Sequence, residues 1–327
     1  MDIITLFSGM GHYEQALKNI GVDFNIKVYT EEDEYKSFAY ELLHGEQINA
    51  GNILEYKAKS FPPHDLLLMT FPYKNIEMMK RDYKGSKGDT ASKSEYFWHA
   101  MDIIERNMPE NIVIETVSSL AEYYTDNLQI WLDFLSDLGY NNYWKVLDAR
   151  DFGVPQLRER LFIVSTLNDK DYCFPDNNED YNIYDYLEDE DTIPETFYMQ
   201  NAEHGIRIVN DRFLANRNRN YFIVYTKRKY INCLDKYYYK GIDKHARRTA
   251  VVAGHGVRQL TPLETWRLMG WTDEQYKFIR KRLIKDKYNG KDRVKTKLYM
   301  MVTTGIVIDV LESLLTSLLE RGDNVEG

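Results

Sequence analysis

Apolar runs of strand length alternate with segments of helical periodicity along the first half of this chain, and few folds accept that alternation. "DIITLFSGMGHYEQALKNIG" opens it. Ile3 to Phe7 reads as a short strand and glycines follow. Tyr13, Ala16, Leu17 and Ile20 then recur at helical spacing before Gly21 ends the helix. "FNIKVYTEEDEYKSFAYELLHG" repeats strand, acidic turn, helix and glycine. "HDLLLMTF", "ENIVIETV" and "ERLFIVST" are further runs of buried-strand length, separated by helical segments such as "SEYFWHAMDIIERN" and "NLQIWLDFLSDLG". The pattern predicts an α/β protein with a doubly wound, mostly parallel sheet. At 327 residues and 43% hydrophobic, the chain can fill such a domain and a smaller second one.

The net charge of −9 conceals an asymmetry. Residues 1–205 hold 17 Lys+Arg against 38 Asp+Glu, whereas residues 206–300 hold 24 against 8. An acidic body carrying a basic module is the electrostatic footprint of polyanion binding. Inside the module, "DRFLANRNRNYFIVYTKRKY" mixes Arg, Asn, Lys and aromatics, types that contact phosphates and read base edges. The candidate DNA contacts are Arg212, Arg217, Asn218, Arg219, Lys227, Arg228 and Lys229. Residues 171–203 read as an acidic connector, and "TGIVIDVLESLLTSLLERG" as an amphipathic helix. With no charged leader and no uninterrupted apolar run of roughly 18 residues, a soluble, cytoplasmic protein without a membrane partner is expected. Two cysteines, Cys173 and Cys233, are too few for a disulfide framework or a thiolate zinc site, so no metal is expected.

The turn "FSGMG" lies between a strand and a helix, where glycines let backbone approach a ligand and the helix start favours polar groups. The second strand ends in Glu31-Glu32-Asp33, and an acid one unit after a glycine turn is placed to bind ribose hydroxyls. Together they point to a nucleoside cofactor.

In this order the pieces resemble the DNA cytosine-5 methyltransferases, which use S-adenosylmethionine. "LFSGMG" resembles the family's first motif and "YTEEDEYKSFAYELLHGEQINAGNI" its second and third. "HDLLLMTFPY" sits where the family carries its Pro-Cys loop, and "IVIETV" where it carries Glu-Asn-Val. "LDARDFGVPQLRERLFIVS" matches the Gln-x-Arg-x-Arg motif and its flanks; "VRQLTPLETWRLMGW" and "VTTGIVIDVL" resemble the closing segments. The resemblance implies a Rossmann-like methyltransferase sheet over residues 1–172 and a smaller basic target-recognition domain over 173–297. Residues 298–327 would be a helix returning to the large domain. It also implies double-stranded DNA as partner and base flipping. Glu115 matches the glutamate that holds the cytosine edge. Arg158 and Arg160 match the motif arginines, the first reaching the base pocket and orienting that glutamate. Phe7, Ser8, Gly9, Met10, Gly11 and Glu31 match cofactor contacts.

The departures concern the chemistry. Pro72 is kept, but Tyr73 stands in the nucleophile slot. A thiol of pKa about 8.5 supplies a few per cent thiolate at neutral pH, whereas a phenol of pKa about 10 supplies roughly a thousandth as phenolate. Thr116 replaces an Asn and Asn52 replaces an Asp that would bind the adenine amine. Glu32 stands where an aromatic or apolar residue often stacks on adenine, His12 where a glycine is usual, and Thr304 where the last motif has Asn. The reading favoured by these changes is a degenerate homologue that binds DNA and S-adenosylmethionine, partnering a second methyltransferase or a defence-system subunit. On that reading, Tyr73→Cys alone restores little activity. One alternative is direct transfer to an exocyclic amine, with the Tyr73 ring stacked on the flipped base. Another is an RNA- or protein-binding module on the same fold.

Overall fold

The computed structural model describes residues 1–72, 91–167, 171–198, 229–240, 250–253 and 256–319. Tyr73 and the candidate contacts Arg212, Arg217, Asn218, Arg219, Lys227 and Arg228 lie outside the described residues.

The chain begins β1 (Asp2–Leu6), α1 (His12–Asn19), β2 (Asn25–Tyr29), α2 (Glu34–His44), β3 (Leu66–Thr70), α3 (Ala91–Asn107) and β4 (Asn111–Val117). It continues through α4 (Ser119–Tyr123), α5 (Thr125–Asp137), β5 (Asn141–Asp148), β6 (Gln156–Leu157) and β7 (Glu159–Thr166). Six strands form one sheet in the order β2-β1-β3-β4-β7-β5. β2, β1, β3 and β4 run parallel, while β7 lies antiparallel against β4. The sheet is therefore mostly parallel, as periodicity predicted, and mixed through β7. The physical reason is the link between β5 and β7: residues 149–158 hold only a tight turn and β6, too little chain for a helical crossover. β3 is apolar and buried from Leu66 to Met69, as a strand covered on both faces must be. On one face Phe97, Trp131 and Phe71 pack together, with the Phe97 and Trp131 rings stacked at 4.8 Å.

The backbone divides into two compact units. The first comprises Met1–Leu147, Glu159–Pro175 and Leu311–Gly327; the second comprises Asp148–Arg158 and Asp176–Val310. Pairing explains why these bounds differ from those that the resemblance implies. β6 pairs in parallel with β8 (Ile231–Asn232), which draws residues 148–158 into the second unit. β9 (Val251–Ala253) and β10 (Gly256–Arg258) form a hairpin there. They are followed by α6 (Pro262–Arg267), α7 (Asp273–Asp286) and α8 (Lys295–Thr303). α9 (Ile308–Leu319) hands most of its length to the first unit, where the Tyr172 hydroxyl donates to the Leu314 carbonyl at 3.4 Å and Asn19 Nδ2 donates to Glu312 Oε1 at 2.5 Å. Residues 295–319 are long and apolar enough to cross a membrane by length and composition, yet 67% of the most apolar window is buried inside the protein.

In the second unit, Arg258 is fully buried and donates to both oxygens of Glu264, itself fully buried, and to Glu190 Oε1 at 3.0 Å. Glu264 also closes the capping box of α6 with Thr261. Part of the acidic connector is thus structural: Glu190 neutralises a buried cation and Glu188 accepts from Thr261.

Candidate functional site

The parallel neighbours β1, β3 and β4 end on one edge of the sheet, and the order of connections reverses between β1 and β3. That is the switch point at which α/β proteins bind ligands. Three matched segments sit there: the turn after β1, Phe71-Pro72 after β3, and Glu115-Thr116 near the end of β4.

The turn after β1 is built from unusual backbone. Phe7, Gly9 and Gly11 have φ of 57°, 61° and 84°. A non-glycine residue in that region is a strain found most often at ligand sites. The Phe7 N–H donates to Thr30 Oγ1 at 2.7 Å, Ser8 Oγ donates to the Thr5 carbonyl at 2.9 Å, and the Gly11 N–H donates to the Ser8 carbonyl at 3.0 Å. Ser8 and Met10 are buried, so they shape the turn from beneath. A Cβ on Gly11 would lie 2.3 Å from His44 Nε2. The His44 ring is locked as well: Nε2 bonds the Met10 carbonyl at 3.0 Å and Nδ1 lies 2.9 Å from Lys18 Nζ. Because the ammonium can only donate, Nδ1 accepts and Nε2 carries the proton. Burial, aided by the Lys18 charge, pushes His44 down to about 3, so it stays neutral.

Glu31 reaches back to this turn. Its Oε2 accepts the Gly9 N–H at 2.9 Å and its Oε1 the Asp33 N–H at 2.8 Å. Burial raises the carboxyl, opposed by the Lys36 charge and by these N–H donors. Asn49, which sequence reasoning missed, braces the Glu31 backbone through both amide atoms, at 3.2 and 3.1 Å, and is itself fixed by Ser37. No local pattern marks Asn49, because its role exists only once β2 and the following loop meet. Asn52 donates to the Tyr96 hydroxyl at 3.4 Å, and Tyr96 from α3 lies beside Phe7 with ring centroids 6.0 Å apart. Tyr96 was likewise missed. Glu32 is exposed.

Beneath the turn, fully buried Glu14 accepts from Thr5 Oγ1 at 2.5 Å and from the Tyr40 hydroxyl at 2.6 Å on one oxygen. Burial raises this carboxyl, against those two hydrogen bonds. A carboxyl raised on folding contributes its stability at low pH and loses it as pH climbs past the ordinary value of 4.5 through the raised one. Glu14→Gln cannot titrate. Thermal melts from about pH 5 to about pH 8 should therefore show a shallower loss of Tm for Glu14→Gln than for the wild type; parallel curves would contradict this assignment.

On the β3–β4 side, Glu115 is only 4% exposed. Its Oε1 takes an ion pair from Arg160 Nε at 3.1 Å. The antiparallel register explains the meeting: Glu115 lies opposite Phe162, so Arg160 is its diagonal neighbour on the same face. The expectation gave this orienting role to Arg158. The structure sets Arg160 on Glu115, while Arg158 is buried in the second unit. There Arg158 donates to the Leu234 carbonyl at 3.2 Å, the Gly305 carbonyl at 2.5 Å and Cys233 Sγ at 3.1 Å. That contact seats an exposed thiol beside a matched motif residue, although the sequence assigned Cys233 only to the basic module. Thr116 Oγ1 donates to the Phe71 carbonyl at 3.1 Å, and the Phe71 N–H donates to the Glu115 carbonyl at 2.8 Å. The threonine that departs from the motif thereby still straps the Phe71-Pro72 segment to β4. Thr304 is the exposed C-cap of α8, in the second unit. Lys229 is exposed in the same unit, its carbonyl accepting the Ile183 N–H at 2.7 Å.

A family model described as C-5 cytosine-specific DNA methylase matches residues 1–320. The chain belongs to the C-5 cytosine-specific DNA methylase family. Among curated members, it is 32% identical over 288 residues to the type II methyltransferase M2.ScrFI of Lactococcus lactis subsp. cremoris, covering 83% of this chain and 71% of that one. It is 29% identical to the type II methyltransferase M.NlaX of Neisseria lactamica, covering 83% and 85% of the two chains. In fold it is similar to the S. pombe Dnmt2 methyltransferase, with a TM-score of 0.73, 19% identity and 99% of each chain covered. This methylase family uses S-adenosylmethionine. The residues present fit such a nucleoside: Glu31 retains acceptor capacity beyond its two N–H partners, at a turn whose Phe7 and Gly9 are only half-buried.

Proposed function

We propose that this methylase-family chain binds S-adenosylmethionine at the β1–α1 turn and a flipped cytosine at Glu115 and Arg160, without forming the covalent base adduct. When bound, the cofactor supplies an electrophilic methyl group. Glu31 holds ribose hydroxyls beside the turn that its own carboxylate ties down through the Gly9 N–H. Glu115 accepts from the exocyclic amine of cytosine, and Arg160 pairs with that carboxyl group and aims it. The carrying observation is the Glu115–Arg160 pair: a carboxylate this buried is tolerated because it is paired, and it stands at the end of a sheet strand beside the cofactor turn. The intact Thr116 strap supports a maintained pocket. Tyr73 in the nucleophile slot argues against the covalent step, because a phenol supplies far less anion than a thiol at neutral pH.

The basic segment supplies the duplex contacts through Arg212, Arg217, Asn218, Arg219, Lys227, Arg228 and Lys229, within a target-recognition region spanning roughly 173–297. The protein acts in the cytoplasm, alongside a second methyltransferase or defence-system subunit.

Duplex DNA carrying 5-fluorocytosine traps enzymes that add to the base, because the fluorine blocks release. Incubation with cofactor should give a gel shift that weakens steeply with salt and no adduct surviving denaturation. An adduct on the Tyr73 oxygen would overturn the proposal. Labelled methyl found in an exocyclic amine would replace it with direct amine transfer. A flat salt response, or binding to RNA in preference to duplex DNA, would remove the duplex reading.

A further inference from the structure

Two surfaces of opposite charge each carry an exposed aromatic side chain. On the first unit, Trp98 of α3 is 49% exposed and meets Phe134 of α5 edge-on, with ring centroids 6.1 Å apart. Ile130, also exposed, lies one turn before Phe134 on the same face of α5. Trp98 is held from behind as well: it packs edge-on against buried Phe97 at 4.9 Å, and Phe97 is stacked on buried Trp131. The apolar patch is thus backed by packed rings. Its rim is acidic. Glu95 and Glu105 share the Trp98 face at helical spacing, and α5 carries Asp126, Asp133 and Asp137 with no Lys or Arg. On α3, Arg106 is neutralised by Asp102 at 2.7 Å.

The second surface is α7, in the second unit. Ile279 and Leu283 are buried and Tyr276 packs edge-on against Trp266 at 5.5 Å, which seats one side of the helix. The other side presents Phe278, 41% exposed, followed by Lys281, Arg282 and Lys285 on the same stripe. Arg282 is engaged by Asp286 at 2.6 Å, whereas Lys281 and Lys285 stand exposed.

We propose that a second copy of this chain docks its α7 onto the α3–α5 patch, with Phe278 against Trp98, Ile130 and Phe134 and the lysines facing the aspartates. Aromatic anchors inside a polar rim are the usual core of a protein interface, and helices engage such patches through residues at this spacing. Charge complementarity identifies the occupant, because α7 supplies both the cations and the ring that the acidic patch would receive. A nucleic-acid backbone suits the lysines alone; the carboxylates around Trp98 would repel it. Since the two faces differ, the contact is heterologous. Each copy gives one face and receives on the other, so association continues past two chains.

Sedimentation velocity of the full chain across protein concentration tests this. The sedimenting mass should grow with concentration, and self-association should weaken about tenfold between about 0.05 M and about 0.5 M salt as the charges are screened. Phe278→Ser and Trp98→Ser should each weaken it about thirtyfold, the scale of an interface hot spot. Mixing these two variants is decisive, because each keeps the face that the other has lost. The mixture should form a complex of two chains and nothing larger. A wild type that stays monomeric at every concentration, or a mixture that stays monomeric, overturns the proposal. Self-association that survives Phe278→Ser also overturns it, since α7 is then not the occupant. If Trp98→Ser fails to fold, Ile130→Ser takes its place in the mixture. Unchanged self-association in Lys281→Gln/Lys285→Gln, with duplex DNA affinity lost instead, reassigns α7 to phosphate contact and overturns the proposal too.

Discussion

Gly11→Ala is expected to abolish binding of S-adenosylhomocysteine and to lower folding stability by about 2–5 kcal/mol, combining left-handed backbone strain with overpacking. The added methyl would lie 2.3 Å from His44 Nε2 and 3.1 Å from Tyr40 Cδ2. Neither neighbour has room to yield. His44 is bonded at both ring nitrogens, and Tyr40 is stacked on Tyr29 with ring centroids 3.8 Å apart while its hydroxyl holds Glu14. The backbone must therefore move, and Met10 and Gly9 move with it. Gly21→Ala is the comparison: its φ of 75° is equally left-handed, but nothing lies within 4 Å of the added atom. That variant should lose only about 1 kcal/mol, the conformational part alone. Urea denaturation and calorimetry on both proteins check the pair. Equal losses in the two variants would show that the His44 contact contributes nothing.

Arg258→Met is expected to cost about 3–5 kcal/mol, because it strands a carboxylate that has no access to water. Arg258 and Glu264 are both fully buried, and two of the bonds between them measure 2.8 Å. Glu264 also accepts the Thr261 and Glu188 N–H groups, so its protonation or movement would loosen the start of α6 and the acidic stretch together. Adding Glu264→Gln to Arg258→Met removes the stranded charge while keeping an acceptor for one of those two N–H groups. The double variant should recover a large part of the loss in chemical denaturation. A double variant no more stable than the single one would mean that packing, not charge, sets the cost.

The turn after β1, the acid after β2 and the segment after β3 were legible because each is local: glycine, carboxylate and apolar run declare themselves within a few residues. The arginine partner of Glu115 was not. Arg158 and Arg160 share a short motif, and only the antiparallel register of β7 decides which one lies diagonal to the glutamate. Tyr96 and Asn49 carry no signal at all in their own neighbourhoods, since each acts through a residue more than fifteen positions away. Thr116 misled in the other direction. Judged by residue identity it is a loss, yet its hydroxyl makes a contact that an amide could also make. Substitutions that preserve a hydrogen bond look like damage until the acceptor is seen.

The first unit is not continuous in sequence: its sheet is laid down early, but Asn19 and Tyr172 wait for Glu312 and Leu314. On a translating ribosome, the whole intervening body must emerge before that face is covered. Apolar surface on a nearly finished core would thus stay open for seconds, at synthesis rates of about 5–20 residues per second. Release of the closing segment, more than strand pairing, would set when this protein becomes safe from aggregation.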